Sequence, residues 1–293
     1  MVGIIAAFQW SGDYHFIPSS QEELSSPLGN FKHAVSFSID PSGNFYVLDA
    51  EINELLKLSR RGELLQSSGG YGWSQIAFDH PTDVIAPNGL DVYVADEGNH
   101  RIQHFDRNLN YVSSLRFRDN EDVSQRFGYP RSVAVSRLGD LFLTDGENIR
   151  IVKIINNNTF DRAFGGQGGG EGQLQNPSRV RVSTTDLVYV QDGNVVKVFD
   201  IFGNYVRTIG AGIFSHLKTF TIDQKHIYVM DSCIVRMLNE HGAVEDTVST
   251  VLGNDQNENC DAVDIAVEGT ALFILSSRHI FVKTLYSTEH LEK

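Results

Sequence analysis

A chain of 293 residues with 41% hydrophobic side chains can bury a sizeable core, as one large all-β domain or as two ordinary ones. Its 24 lysines and arginines against 37 aspartates and glutamates leave a net charge of -13, which argues against nucleic acid or an anionic membrane held by bulk charge. No apolar run approaches the roughly 18 residues of a membrane span.

The first eight residues, MVGIIAAF, lack a basic n-region and form an apolar run at the short end for a secretion signal. They read as a core strand, the alternative being the remnant of a start placed too late. Trp10, Tyr14 and Phe16 follow at the approach to the first repeated unit.

From Ala34 onward the chain repeats itself. FYVLD ends at Asp49, VYVAD at Asp96, LFLTD at Asp145, VYVQD at Asp192 and IYVMD at Asp231, and LFILS carries Ser276 in that place. Consecutive copies are 47, 49, 47, 39 and 45 residues apart, the period of a four-stranded blade and too long for a leucine-rich repeat. A first strand precedes each copy by about twelve residues: AVSFSI, PTDVIA, PRSVAV, PSRVRV, KTFTI and AVDIAV. A third strand follows each one: ELLKL, RIQHF, IRIVKI, VVKVF, IVRML and HIFVK. Fourth strands such as YVRTI from Tyr205 complete five units. Short alternating runs between polar turns make antiparallel meanders, and a lone meander would leave both faces bare.

The expected architecture is therefore all-β: a six-bladed β-propeller of four-stranded antiparallel blades. The blades span roughly 31–69, 80–115, 129–165, 176–210, 217–251 and 261–285. Only eight residues follow Leu285, so the last blade lacks a fourth strand. Residues 2–8 are expected to supply it and close the ring, which removes the open flanks of an unclosed one. The glycine-rich run 168–172 has no strand–loop–helix after it, so it reads as a turn between blades and not a phosphate loop.

At PTDVIAPNGLDVYVADEGNHRIQHFD the sequence resembles an NHL repeat, through Asp96, Asn99, Arg101, Ile102, Phe105 and Asp106. The third unit matches at Pro130, Asp145, Asn148, Arg150 and Ile151, and the fourth at Pro177, Asp192, Asn194 and Phe199. The resemblance covers about residues 34–285 and implies a six-bladed propeller that binds something on one end face. That family includes RNA-binding and protein-binding domains of ubiquitin-ligase-type proteins, exported bacterial proteins, and a copper-dependent peptide-amidating lyase.

The repeated aspartates are expected to cap the turn after their strand through local backbone hydrogen bonds. Arg101 and Arg150 are expected to pair with such acids between blades. Positions that vary within the repeat are more informative. The third residue of the first strand is in turn Ser36, Asp83, Ser132, Arg179, Thr219 and Asp264, with Arg131 and Lys218 one residue earlier in their strands. These are the candidate ligand residues of a channel mouth; the alternative is a water-filled channel whose charges balance. Asp83 and Asp264 would be the acids to hold a hard cation such as Ca²⁺ with backbone carbonyls, although no cofactor is the preferred reading. No HExxH or G-x-S-x-G spacing is present.

Tyr71, Trp73 and Phe78 crowd one connection between blades. They either anchor that loop by packing or offer Tyr71 and Trp73 to a protein or peptide. Stacking on RNA is opposed by the acidic charge. Cys233 and Cys260 fall on loops of one face in adjacent blades and are candidates for a disulfide, which tight geometry limits, the alternative being two free thiols. A bridge, or a true start lying upstream, would indicate an exported protein; otherwise the expectation is cytoplasmic.

The function expected is a non-catalytic, monomeric scaffold whose end face holds a protein, peptide or glycan. Its rivals are a propeller lyase or hydrolase with an axial divalent metal and an RNA-binding propeller with a basic rim.

Overall fold

The computed structural model describes residues 27–156, 158–168, 170–250 and 261–285. First strands run Ala34–Ile39, Pro81–Ile85, Pro130–Val135, Pro177–Val182, Leu217–Ile222 and Ala262–Glu268. Second strands run Phe45–Asp49, Asp91–Asp96, Leu141–Asp145, Leu187–Asp192, His226–Asp231 and Ala271–Ser276. Third strands are Glu54–Leu58, Arg101–Asp106, Arg150–Ile155, Val195–Asp200, Ile234–Asn239 and Ile280–Thr284. Fourth strands are Leu64–Gly69, Tyr111–Leu115, Thr159–Phe164, Tyr205–Ile209 and Val244–Ser249. Every sheet is an antiparallel meander in chain order, five of four strands and the last of three among the described residues.

Burial explains why the sheets assemble as a ring. The second strand FYVLD is buried at all five positions, as is LFLTD, because both faces of the blade are covered by neighbours. The outer strands are wet: Leu64 and Leu65 stand exposed on the first blade's rim. Among the described residues six apolar clusters form, and each joins two adjacent blades. One of them unites Phe45 and Leu56 of the first blade with Phe273, Leu275 and Ile280 of the last. First strands touch in succession around the axis, the sixth returning to the first, so the ring is closed.

The strand expected at residues 2–8 lies outside the described residues. What the structure shows at the seam is a clamp from residues 28–34. Leu28 exchanges both backbone hydrogen bonds with Ile280, at 2.8 and 2.9 Å. Phe31 donates to Arg278 O and Ala34 to Ser277 O. Leu28 thus holds against the third strand the place that Leu115 and Ile209 hold at the ends of their fourth strands. Among the described residues no helix is long and apolar enough to cross a membrane.

Candidate functional site

Each first strand carries a register irregularity near its start. In the first blade Ala34 pairs with Asp49 while Ser36 pairs with Leu48, so one extra residue, Val35, is accommodated. The same irregularity recurs in the other five blades. A regular strand sends successive side chains to opposite faces, and a bulge breaks that rule and re-aims one of them. Here it lets two consecutive residues of every first strand serve the axis in two tiers. The six extra residues Val35, Thr82, Arg131, Ser178, Lys218 and Val263 line a mouth of about 170 Å³, together with Asp83, Ser132, Arg179, Thr219 and Gln191.

Below the mouth the six variable positions form one connected polar plug. Asp83 accepts from Ser36 Oγ at 3.0 Å, Ser132 Oγ at 2.5 Å and Val133 N at 3.3 Å. Arg181 grips it in bidentate fashion, Nη1 to Oδ2 at 2.9 Å and Nη2 to Oδ1 at 3.0 Å. Asp264 is held by Arg179 through both Nη atoms, 2.8 and 3.0 Å, and by Thr219 Oγ1 at 3.1 Å. Ser36 lies within 3.2 Å of Asp264 Oδ2 as well, so its hydroxyl stands between the two carboxylates and all six blades are stitched together.

Burial alone would raise the Asp83 carboxyl, since charge is disfavoured in a low dielectric. The guanidiniums of Arg181 and Arg179 and the hydrogen bonds from Arg181 and Ser132 outweigh it, and the pKa falls to about 2. In this tier each buried acid has a guanidinium, Asp83 that of Arg181 and Asp264 that of Arg179. A cation at Asp83 or Asp264 would have to displace Arg181 or Arg179. Among the described residues no three His, Cys, Asp or Glu side chains are grouped to hold a metal ion. His100 and His104 stand four apart, a spacing that converges on a metal only along a helix. Here His104 opens towards Asp91 at 2.6 Å while the His100 ring meets Tyr129 edge-on.

Arg181 escaped the sequence reading. The signal was present, because Arg181 follows Arg179 by two residues and strand periodicity puts both on one face.

The repeated aspartates do more than cap a local turn. Their carboxylates reach back to the connection before their own blade. Asp49 accepts from Lys32 N and His33 N, Asp96 from Asp79 N, Asp192 from Gln175 N and Asn176 N, and Asp231 from Ser215 N and His216 N. Arg101 and Arg150 bond Asp96 and Asp145 of their own blade, at 2.7 and 2.9 Å, and not acids between blades. The ladder dictates this, for Asp96 lies opposite Arg101 and Asp145 opposite Arg150 in the antiparallel register.

The same network pins the connection that carries the exposed aromatics. Asn99 Nδ2 donates to Gly72 O, Arg101 Nη2 to Ser74 O and Ala77 O, and Gln103 Nε2 to Ala77 O. Phe78 is fully buried at its base, whereas Tyr71 is 71% and Trp73 76% exposed. The two readings of this cluster therefore divide by residue: Phe78 anchors, Tyr71 and Trp73 face solvent. Neither of them lines the axial mouth. Trp10, Tyr14, Phe16 and Cys260 lie outside the described residues, and with Cys260 the candidate disulfide to Cys233.

A closed ring of six antiparallel blades around a polar axis is a six-bladed β-propeller. The NHL-repeat profile matches residues 78–105, from the buried anchor Phe78 to Phe105, so the second blade of this propeller carries an NHL repeat. Protein brain tumor of Drosophila melanogaster is 29% identical over 118 residues, 39% of this chain and 11% of that protein. NHL repeat-containing protein 3 of Homo sapiens is 31% identical over 93 residues, 31% of this chain and 26% of that protein. The matches thus span a small part of either relative. Among solved structures, virginiamycin B lyase from Staphylococcus aureus is similar at a TM-score of 0.61, over 86% of this chain and 80% of its own, with 12% identity. A streptogramin B lyase gives 0.59, over 89% and 95%, with 9% identity. At such identity the likeness is one of fold alone.

Proposed function

We propose that the rim face of this propeller is a non-catalytic binding surface for a peptide segment of a protein partner. The observation that carries this reading is the loop at residues 70–80. Its backbone is fixed by Asp96, Asn99, Arg101 and Gln103, yet it holds Tyr71 and Trp73 out to solvent. Large aromatics bind well because they bury much area with few rotors, and a pinned backbone has little further entropy to lose on association. Tyr129, 43% exposed, and Ile76, 48% exposed, extend the apolar character of this side.

Peptides selected from a displayed random library on the whole chain provide the test. Trp73→Ala is expected to weaken the selected peptides by about 10- to 30-fold, an effect of roughly 1.4–2 kcal/mol. Tyr71→Ala should act in the same direction. Both variants should melt within about 1 °C of the parent, since neither side chain belongs to a core. Peptides that bind with full affinity to both variants would place the partner surface elsewhere. A glycan array bound through Trp73 in place of any peptide would change the partner class.

A further inference from the structure

In the first, fourth and fifth blades, the two amides just before the first strand both donate to that blade's own repeated aspartate. Lys32 and His33 serve Asp49, Gln175 and Asn176 serve Asp192, and Ser215 and His216 serve Asp231. The third blade departs from this. Gly128 N reaches Asp145 Oδ1 at 3.1 Å, but Tyr129 N turns to the second blade and donates to His100 Nδ1 at 3.2 Å. The Tyr129 ring meets the same imidazole edge-on, with centroids 4.2 Å apart. The blade itself does not call for a histidine there, since Ile149 holds the same place before the third strand of the next blade, with the same left-handed backbone. A backbone amide can only donate, so Nδ1 must offer a lone pair. His100 is therefore held neutral, with its proton on Nε2.

We infer that His100 is a pH-operated tie between the second and third blades: neutral, it holds Tyr129, and protonated, it releases the Tyr129 amide to Asp145 and turns to Glu147. Both end states are built into the fold. The released amide would take the bond that three sister blades already make, and Asp145 Oδ1 stands beside it as the acceptor of Gly128 N. Glu147 is at hand for the cation, because a side chain at Gly128 would run into both the Glu147 carboxylate and His100 Nδ1. Burial first, and then the Arg118 guanidinium in the connection before the third blade, hold the imidazole below its ordinary pKa of 6.5. Glu147, Glu97 and Asp96 pull the other way. Of the remaining charges nearby, Asp79 is spent on His80, and Arg131 is braced by Glu97. The folded protein thus takes this proton less readily than the unfolded chain. The tie is complete above the ordinary value of 6.5 and is lost as pH falls through the lower folded one. The inference adds a response to acid at Tyr129 on the rim and does not depend on what the rim binds.

The test is nuclear magnetic resonance of the whole isotope-labelled chain between about pH 8 and about pH 5, the range in which histidine changes charge. At the alkaline end a coupling across the hydrogen bond should connect Tyr129 N with His100 Nδ1, and Nε2 should carry the ring proton. On acidification the coupling should be lost, and the Tyr129 amide shift should move with the same midpoint as the His100 ring, below 6.5. In His100→Gln, whose side-chain oxygen still accepts but does not titrate, the Tyr129 step should be absent. Arg118→Gln should raise the His100 midpoint and Glu147→Gln should lower it. Absence of the coupling at the alkaline end overturns the tie. So does a Tyr129 amide that stays still while His100 titrates, a step that persists in His100→Gln, or midpoint shifts of the opposite signs. If His100→Gln folds poorly, the coupling and the titration of the parent chain decide by themselves. No ligand enters the measurement, so its outcome leaves the peptide reading to the experiment on Trp73.

Discussion

Asp83→Asn is expected to destabilise the propeller by about 3–5 kcal/mol, because it leaves Arg181 as a charge in the interior without its counter-ion. For a chain of this size that corresponds to a midpoint lower by roughly 10 °C, read by thermal or urea unfolding. The loss would come from the surviving partner, not from the value of the bond itself. The double variant Asp83→Leu/Arg181→Met is therefore expected to recover most of it, since buried ion pairs are often replaceable by apolar groups. A double variant as unstable as the single one would show that the plug holds the blades together by more than charge pairing.

The same pair sets an acid limit. The Asp83 carboxyl is held at about 2 in the fold, below the ordinary value near 3.8. A depressed acid pKa contributes stability that is present above the unfolded value and is lost as pH falls towards the folded one. The contribution, on the order of 2 kcal/mol, should be complete at pH 5 and disappear between about pH 4 and pH 2. In Asp83→Asn that acid-dependent component should be absent, leaving a shallower decline over the window.

The second large effect is expected at Arg101, whose loss should destabilise the chain by about 3–5 kcal/mol in Arg101→Leu. Its side chain is 1% exposed and its carboxylate partner fully buried, so removing the cation strands Asp96 in the core. Ser74 O loses its Arg101 donor and Ala77 O is left with Gln103 Nε2 in the same step, and residues 70–80 should become sites of early proteolytic cleavage. Arg236 makes the useful contrast. It reaches Asp231 only at 3.4 Å and is 26% exposed, so Arg236→Leu should cost less than about 1 kcal/mol. Equal losses at the two positions would mean that burial does not set the strength of these pairs. Because the loop at 70–80 carries Trp73, Arg101→Leu should also weaken peptide binding without touching the peptide.

How far these sites were legible depends on the distance over which each residue acts. The ladder of Asp49, Asp96, Asp145, Asp192 and Asp231 shows in the sequence because a blade imposes it at a near-constant period. What each carboxylate bonds does not show there, since its partners are amides some 16–17 residues upstream, such as His33 and Asp79. Arg131 and Lys218 stood out only as neighbours of the variable position. Strand alternation would have turned them away from the axis, and the bulge shared by all six first strands brings them to it.

The sequence by itself determined the number of blades, their strand order and the six positions that meet at the axis. Those follow from period, alternation and turn chemistry, all of them local and repeated. Only the tertiary structure decided which charges neutralise one another. Asp83 meets Arg181 across 98 residues of chain and Asp264 meets Arg179 across 85, and ring closure alone sets those distances. It likewise divided Phe78 from Trp73 within a single connection, burying one between two blades and leaving the other in water.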